Sequence, residues 1–476
     1  MLMPTFPLIP KKVALVRTRF RTIQTPLPVP ESLPILEEMR KYEPQSMGGL
    51  PPVVWKTGEN FIVHDYWGNR WIDWSSGVLV TNAGHGRQEM IDAIVEQART
   101  GLLTNYLFPH KLRGKLAGML VKRAPKNLDK VFLLSTGSET IEVAIKLCRT
   151  RGQKIAASKR VIVSFANAFH GRTLGSQMIG GIPALKAWIG NLDPEMVQVP
   201  FPDGFRCKDL GFDLFLKTLQ KAGVKASNVC GVILETYQGG NASFADSAYM
   251  RQLRDWCDKS DILMIFDEVQ AGFGRTGKYF GFEHYGVRAD IVCCGKGISG
   301  SLPLSAIFAN HEVMDLYPPG SMTSTHSANP VCCAAAIANL ELLDREKLVE
   351  NSARMGTVLH EELKKIHEEF PGRIGAVHGK GLVAALQMIK PGTEEPDADT
   401  AFEIVEAAYE RGVLMFSPVG YGGASVKIAP PLTINREALL ESLEVLHEAI
   451  HAVLHGEISA QEPSSAPRSQ ELQFRG

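Results

Sequence analysis

The chain has 476 residues, 45% of them apolar and 21% charged, with acidic and basic residues in balance and a formal net charge of zero. That length exceeds one ordinary core and predicts two or more domains. Neutral charge gives no basic face for nucleic acid or an anionic membrane, and no apolar run reaches the ~18 residues of a membrane span. Eight cysteines, two pairs of them adjacent (Cys293-Cys294 and Cys332-Cys333) and none in C-x-x-C spacing, point to reduced core thiols in a cytoplasmic protein. Neither a disulfide framework nor a zinc site is expected.

Before Glu31 there is no acidic residue, while Lys11, Lys12, Arg17, Arg19 and Arg21 are basic, as in a transit peptide. Pro4, Pro7, Pro10, Pro26, Pro28 and Pro30 break any amphipathic helix, which favours an extended arm lying on the protein or on a partner subunit. Alternation over 61–74, around Trp67-Gly68-Asn69, predicts a β-hairpin. Residues 1–80 thus read as an arm and hairpin packing with a small domain. Helical periodicity follows over 88–100, and strand and helix patterns then alternate. Strands are predicted at 131–134, 161–163, 231–234, 262–266, 290–294 and 304–308, with helices at 139–149 and 249–259. Such alternation argues for an α/β large domain over 81–330, its sheet largely parallel with helices on both faces. Pro330 opens an Ala- and Leu-rich helix, and 331–455 reads as a smaller α+β domain. The polar Ser-, Pro- and Gln-containing stretch 456–476 is expected to be a disordered tail.

Two of the apolar runs carry chemistry. Ile262-Leu263-Met264-Ile265-Phe266 ends in Asp267-Glu268-Val269-Gln270, and the 290–294 run ends in Gly295-Lys296-Gly297. Both have the length and composition of buried parallel strands, and each delivers an ionisable residue at its carboxyl end, where open α/β sheets bind ligands. A strand-end aspartate alone is commonly a turn residue, and most lysines are solvated. Together they suit pyridoxal phosphate: the carboxylate keeps the ring nitrogen protonated and the lysine forms the Schiff base. Residues 272–278 also fit G-x-x-x-x-G-K, but Tyr279 stands where a P-loop needs Ser or Thr for the metal, and no helix signal follows. An ATPase is thereby excluded.

Ser135-Thr136-Gly137-Ser138-Glu139 lies where a strand turns into a helix, and the helix N-terminus offers free N–H groups to a phosphate. An ordinary capped helix would look the same. Phe165-Ala166-Asn167-Ala168-Phe169-His170-Gly171-Arg172-Thr173 follows the next strand. Phe169 could stack on a pyridine ring and Arg172 could hold an anionic group, although singly they read as core and surface. Four strand-end segments thus present a phosphate cradle, a stacking aromatic, an acid and a lysine in sequence order.

On these residues the chain resembles the class III aminotransferases, the fold-type-I pyridoxal-phosphate family of the ornithine, acetylornithine and 4-aminobutyrate aminotransferases. The likeness spans roughly 51–432, and D-E-V-Q-x-G-F-G-R-T-G-K is its most diagnostic piece. It implies a large domain with a mainly parallel seven-stranded sheet, a smaller α+β domain, pyridoxal 5'-phosphate as cofactor, and an obligate homodimer with active sites at the interface. A further step to a tetramer is left open. Carried over residue by residue, Lys296 would bear the cofactor and shuttle the proton, and Asp267 would pair with the ring nitrogen. Gln270 would sit near the phenolic oxygen, and Gly137 and Ser138 would bind phosphate. Phe169, with His170 beside it, would cover the ring, and Glu235 would lie near cofactor and substrate. Thr325 would reach the phosphate from the neighbouring subunit, and Arg172 would be an anion contact on the donor. Burial should lower the pKa of Lys296 from its usual ~10.4, leaving the amine neutral enough to react.

Two positions depart from the family pattern. Lys427 stands where an arginine usually clamps an α-carboxylate, and a lysine cannot reproduce that two-pronged grip. Gly240 stands where ornithine- and 4-aminobutyrate-type enzymes carry the glutamate that masks this arginine. Lys427 could still bind a substrate carboxylate as a point charge. Loss of both partners of the switch points instead to an ω- or β-amino donor: 4-aminobutyrate-like, a β-amino acid or a β-aminoacyl compound. The expected activity moves that amino group to a keto acid by a ping-pong mechanism. A racemase or epimerase on the same scaffold is the alternative, and a decarboxylating aminotransferase a third variant.

Overall fold

The strand-forming runs are rich in Val, Ile, Leu and Phe along their whole length, a pattern suited to a sheet covered on both faces. In the computed structural model, which describes residues 5–456, they build a seven-stranded sheet. Its order is Lys130–Leu134, Ser305–Ala309, Ile291–Cys294, Leu263–Asp267, Val229–Glu235, Val161–Phe165, Met196–Val199. Every strand is parallel to the rest except Ser305–Ala309, which is antiparallel to both its neighbours. Side chains alternate between the two faces. Ile162, Ile233, Ile265, Cys293 and Ile307 pack with Ile141, Ala144 and Cys148 of the helix Gly137–Ile155. Met264, Phe266, Val292, Cys294 and Phe308 turn into the main core on the other side. Each such aliphatic or aromatic side chain contributes ~1.5–3 kcal/mol of burial energy.

Register sets the site. Asp267 lies level with Glu235 on one neighbour and with Cys293 on the other. Three strands therefore end together at one carboxyl edge, and Lys296 follows three residues beyond Cys293.

The predicted hairpin is Ile62–His64 paired antiparallel with Arg70–Asp73, flanked by Thr57–Glu59. Val413–Leu414, from far along the chain, joins it parallel to Arg70–Asp73. The described part of the basic arm is tied down: Lys11 pairs with Glu406 and Glu410, and Arg21 with Glu441. An antiparallel sheet of Ile374–Lys380, Val383–Met388 and Ser425–Ile428 carries Lys427 on its last strand. No helix among the described residues is long and apolar enough to cross a membrane. The stretch expected to be a disordered tail lies, after Gly456, outside the described residues.

Some elements escape the periodic reading. The helices Leu33–Tyr42, Lys111–Arg123 and Phe212–Lys221 and the edge strand Met196–Val199 were not expected. Lys111–Arg123 contains Gly114 and Gly118, which weaken its signal. The helix expected over 139–149 begins at Gly137 and runs to Ile155, because Thr136 and Glu139 cap each other's backbone amides.

Candidate active site

The strand ends bring the ionisable residues together. Asp267 Oδ2 accepts from His170 Nδ1 at 2.8 Å and its Oδ1 from the Val269 amide at 3.0 Å. The other ring nitrogen of His170, Nε2, is buried with no partner. Glu235 accepts from the Phe169 amide at 2.8 Å and the Gly239 amide at 2.9 Å. Burial pushes its carboxyl up to about 7, with the Asp267 charge adding to the rise and the His170 charge opposing it. Lys296 follows an extended Gly295 and holds φ at +44°, a left-handed conformation costing ~1–3 kcal/mol for a residue with a Cβ. Burial lowers its pKa, against the pull of Asp267 and Glu235. This is the direction a reactive amine requires.

The helix Gly137–Ile155 begins beside these groups. Its first amides have no partner within the helix and bear partial positive charge. A Cβ at Gly137 would meet both methyls of Val269 at 2.9 Å, so only glycine lets the backbone come this close. Gly137, Ser138, Phe169, His170, Glu235, Asp267, Gln270 and Lys296 all line one cavity of about 300 Å³. A larger groove of about 880 Å³, between the arm and residues 44–55, holds none of these strand-end residues.

Three predicted residues do not line the cavity. Arg172 is exposed, its guanidinium 5.8 Å from the centre of the Phe169 ring. Thr325 is exposed. Lys427, expected to contact substrate, is only 3% exposed. Its Nζ donates to the Gly239 carbonyl and, at 2.7 Å, to Gln270 Oε1, so it stands behind the wall that Gln270 forms. Sequence reasoning in turn missed Val80, Tyr237, Ser301 and Leu304, which also line the cavity. Tyr237 lies two residues beyond Glu235 and was within reach of the strand-end argument. Val80 comes from the end of a left-handed turn, Ser76–Leu79, with φ of +49° to +66°, and no local signal marks it.

The D-E-V-Q segment divides by function. Asp267 and Gln270 face the cavity, whereas Glu268 turns into the scaffold and accepts from the Gly281 and Phe282 amides at 2.8 Å each and from Thr236 Oγ1. Arg275 is fully buried and ties together the carbonyls of Leu382 and Pro430, Ser76 Oγ and Asn82 Oδ1.

Residues 45–450 match the family profile described as aminotransferase class-III. The chain belongs to the class-III aminotransferases. Similar relatives of this class-III aminotransferase include the 4-aminobutyrate aminotransferase of Mycobacterium leprae, 31% identical over 90% of this chain and 97% of that protein. The 5-aminovalerate aminotransferase of Pseudomonas putida is 31% identical over 85% of this chain and 95% of its own. Among solved structures, a Bacillus anthracis aminotransferase superposes with a TM-score of 0.81 at 29% identity, covering 88% of this chain and 98% of that one.

Class-III aminotransferases are fold-type-I enzymes that transfer nitrogenous groups with pyridoxal 5'-phosphate, and this one is such an enzyme. Its cavity suits the cofactor on its own chemistry. Two buried carboxylates, Asp267 and Glu235, face a lysine that burial drives toward neutrality. A protonated heterocycle supplies the positive charge this arrangement lacks. The bare Gly137 backbone at a helix start matches a phosphate.

In this class-III aminotransferase the family's masking glutamate is sterically excluded. A Cβ at Gly240 would meet Gly420 Cα at 2.6 Å. The loop around Gly420 is held there by Asn241, whose Oδ1 accepts from the Tyr421 amide at 3.0 Å and Ser425 Oγ at 2.9 Å.

Proposed function

We propose that the enzyme moves the amino group of an ω- or β-amino donor, 4-aminobutyrate-like or a β-amino acid or β-aminoacyl compound, to a keto acid in two successive half-reactions within the one cavity. The observation that carries this reading is the dismantled carboxylate switch: Lys427 is engaged by Gly239 and Gln270, and Gly420 fills the place of the masking acid. The names of the 4-aminobutyrate and 5-aminovalerate relatives support it.

Bound pyridoxal phosphate supplies an aldehyde that condenses with amines and a protonated ring that withdraws electrons from the carbon bearing nitrogen. Lys296 Nζ would be the attachment point, and the burial that lowers its pKa favours taking up and returning a proton at that atom. Asp267 would keep a proton on the ring nitrogen, and His170 orients its carboxylate through the 2.8 Å bond. The amides of Gly137 and Ser138 would hold the phosphate, with Thr325 supplied by a second subunit, while Phe169 would cover the ring and Gln270 would donate to the phenolic oxygen. Glu235 lies beside the reacting end of the substrate, and Arg172 meets the donor's distal anion. Residues 81–330 carry all the ionisable side chains of the cavity, which supports treating them as the cofactor domain and 331–455 as the smaller one. The eight cysteines are free, in keeping with a cytoplasmic enzyme.

The test is absorbance titration of the purified holoenzyme with 4-aminobutyrate, 5-aminovalerate, β-alanine and glutamate. Bleaching of the cofactor band by the first three and its loss of covalent attachment in Lys296→Ala are expected. Efficient exchange between glutamate and 2-oxoglutarate with no response to ω-amines overturns the donor assignment.

A further inference from the structure

We propose that Lys427 is a positioning residue for Gln270 rather than a receptor for a substrate carboxylate. Lys427 lies on the Ser425–Ile428 strand, opposite Ala385 on its neighbour, and is buried. Its Nζ donates to two acceptors, the Gly239 carbonyl and Gln270 Oε1. The rings of Phe416 and Tyr237 lie 5.6 and 5.9 Å from Nζ and wall the remaining space. Among the described residues no carboxylate pairs with it; the charges that act on it are those of Glu235, Lys296 and Arg275.

Nζ donates to both acceptors, which the two N–H groups of even a neutral amine can serve, so it fixes which end of the amide it meets. Gln270 must present Oε1 to Lys427, and its Nε2 makes no hydrogen bond among the described residues. That free donor belongs to a side chain lining the cavity. The Gly239 backbone also lies against the amide: a Cβ there would strike its Nε2 first and its Cδ at 2.7 Å. The Gly239 peptide serves both sides, its carbonyl accepting from Lys427 and its amide donating to Glu235. Lys427 therefore orients Gln270 so that an N–H, and not a carbonyl, faces the cofactor's phenolic oxygen. The donor group that a family arginine offers to substrate is here engaged inside the wall.

The inference rests on the assignment of Gln270 to the phenolic oxygen, and the experiment separates the two. Holoenzymes carrying Lys427→Met, Gln270→Ala, both changes, or Lys427→Arg are titrated with pH while the cofactor's absorption is followed. Each is also assayed with 4-aminobutyrate and with pentylamine, which has no carboxylate. Expected is a midpoint shift of about one pH unit, the worth of one hydrogen bond, in the same direction for Lys427→Met and Gln270→Ala. The double variant should move no further than the larger single change, and kcat should fall alike for both donors. Lys427→Arg, which keeps the donors, should retain the native midpoint, and it tests the idea even if Lys427→Met does not fold. An unshifted midpoint in Gln270→Ala overturns the assignment of Gln270 and the proposal with it. A shift in Gln270→Ala without one in Lys427→Met overturns the proposal alone. So does a KM change confined to the carboxylated donor, whether a rise in Lys427→Met or a fall in Lys427→Arg.

Discussion

A lysine buried without a carboxylate partner bears the desolvation cost of its charge. Burial depresses the pKa of Lys427 from 10.5 to about 7, with the Glu235 charge opposing the fall. Between those values the unfolded chain holds a proton that the folded chain has released. Stability contributed by this group therefore rises with pH across the window, by at most ~1.4 kcal/mol per pH unit. Glu235 works the other way: its folded pKa is raised from 4.5 to about 7, so its contribution falls as pH climbs between those values. Lys427→Met removes the first effect and leaves the second. In urea unfolding the variant should gain on the wild type most at pH 7 and below, and the gap should narrow toward pH 10. A gap that does not change with pH would show that the lysine is not desolvated as described. The identity of this residue was legible in the chain, but its role was not, because strand 425–428 gives no sign that residue 270 lies against it.

At the scale of elements, the seven-residue strand Val229–Glu235 and its neighbours announce themselves by composition. The helix start that lines the cavity was equally readable, since its capping residues are local in sequence. The loop at Gly420 was not. It reaches Gly240 from 180 positions further along the chain, and glycines at 420, 422 and 423 with φ of +77°, +66° and +72° let it turn there. Restoring the acid found in related enzymes should therefore fail to restore their switch. Gly240→Glu must push the Gly420 backbone aside, an overpacking cost of ~1–3 kcal/mol. The expected result is a lower urea midpoint with no gain in glutamate turnover. The left-handed turn Ser76–Leu79 was hidden for a related reason. Val78 and Leu79 are poor candidates for positive φ, and the turn persists because Arg275 and Ala429 hold Ser76 from distant parts of the chain.

For the whole molecule, the exposed side chains Leu102, Leu103, Leu107 and Phe108 gather on one loop, and Phe108 is 75% exposed. A concentration of apolar surface of this kind marks an interface. Together with the exposed Thr325 it supports the proposed homodimer. Light scattering should give twice the 52.2 kDa chain mass, and Leu103→Asp with Phe108→Asp should yield an inactive monomer. A variant that stays dimeric would place the interface elsewhere. The sequence by itself determined the sheet, the cofactor chemistry and the family, because apolar runs, caps and strand-end residues are properties of short segments. The tertiary structure alone decided that Lys427 lies against the Gln270 amide, and that a Cβ at Gly240 would meet the Gly420 backbone. Both depend on contacts between segments far apart in the chain, whose meeting is set by packing.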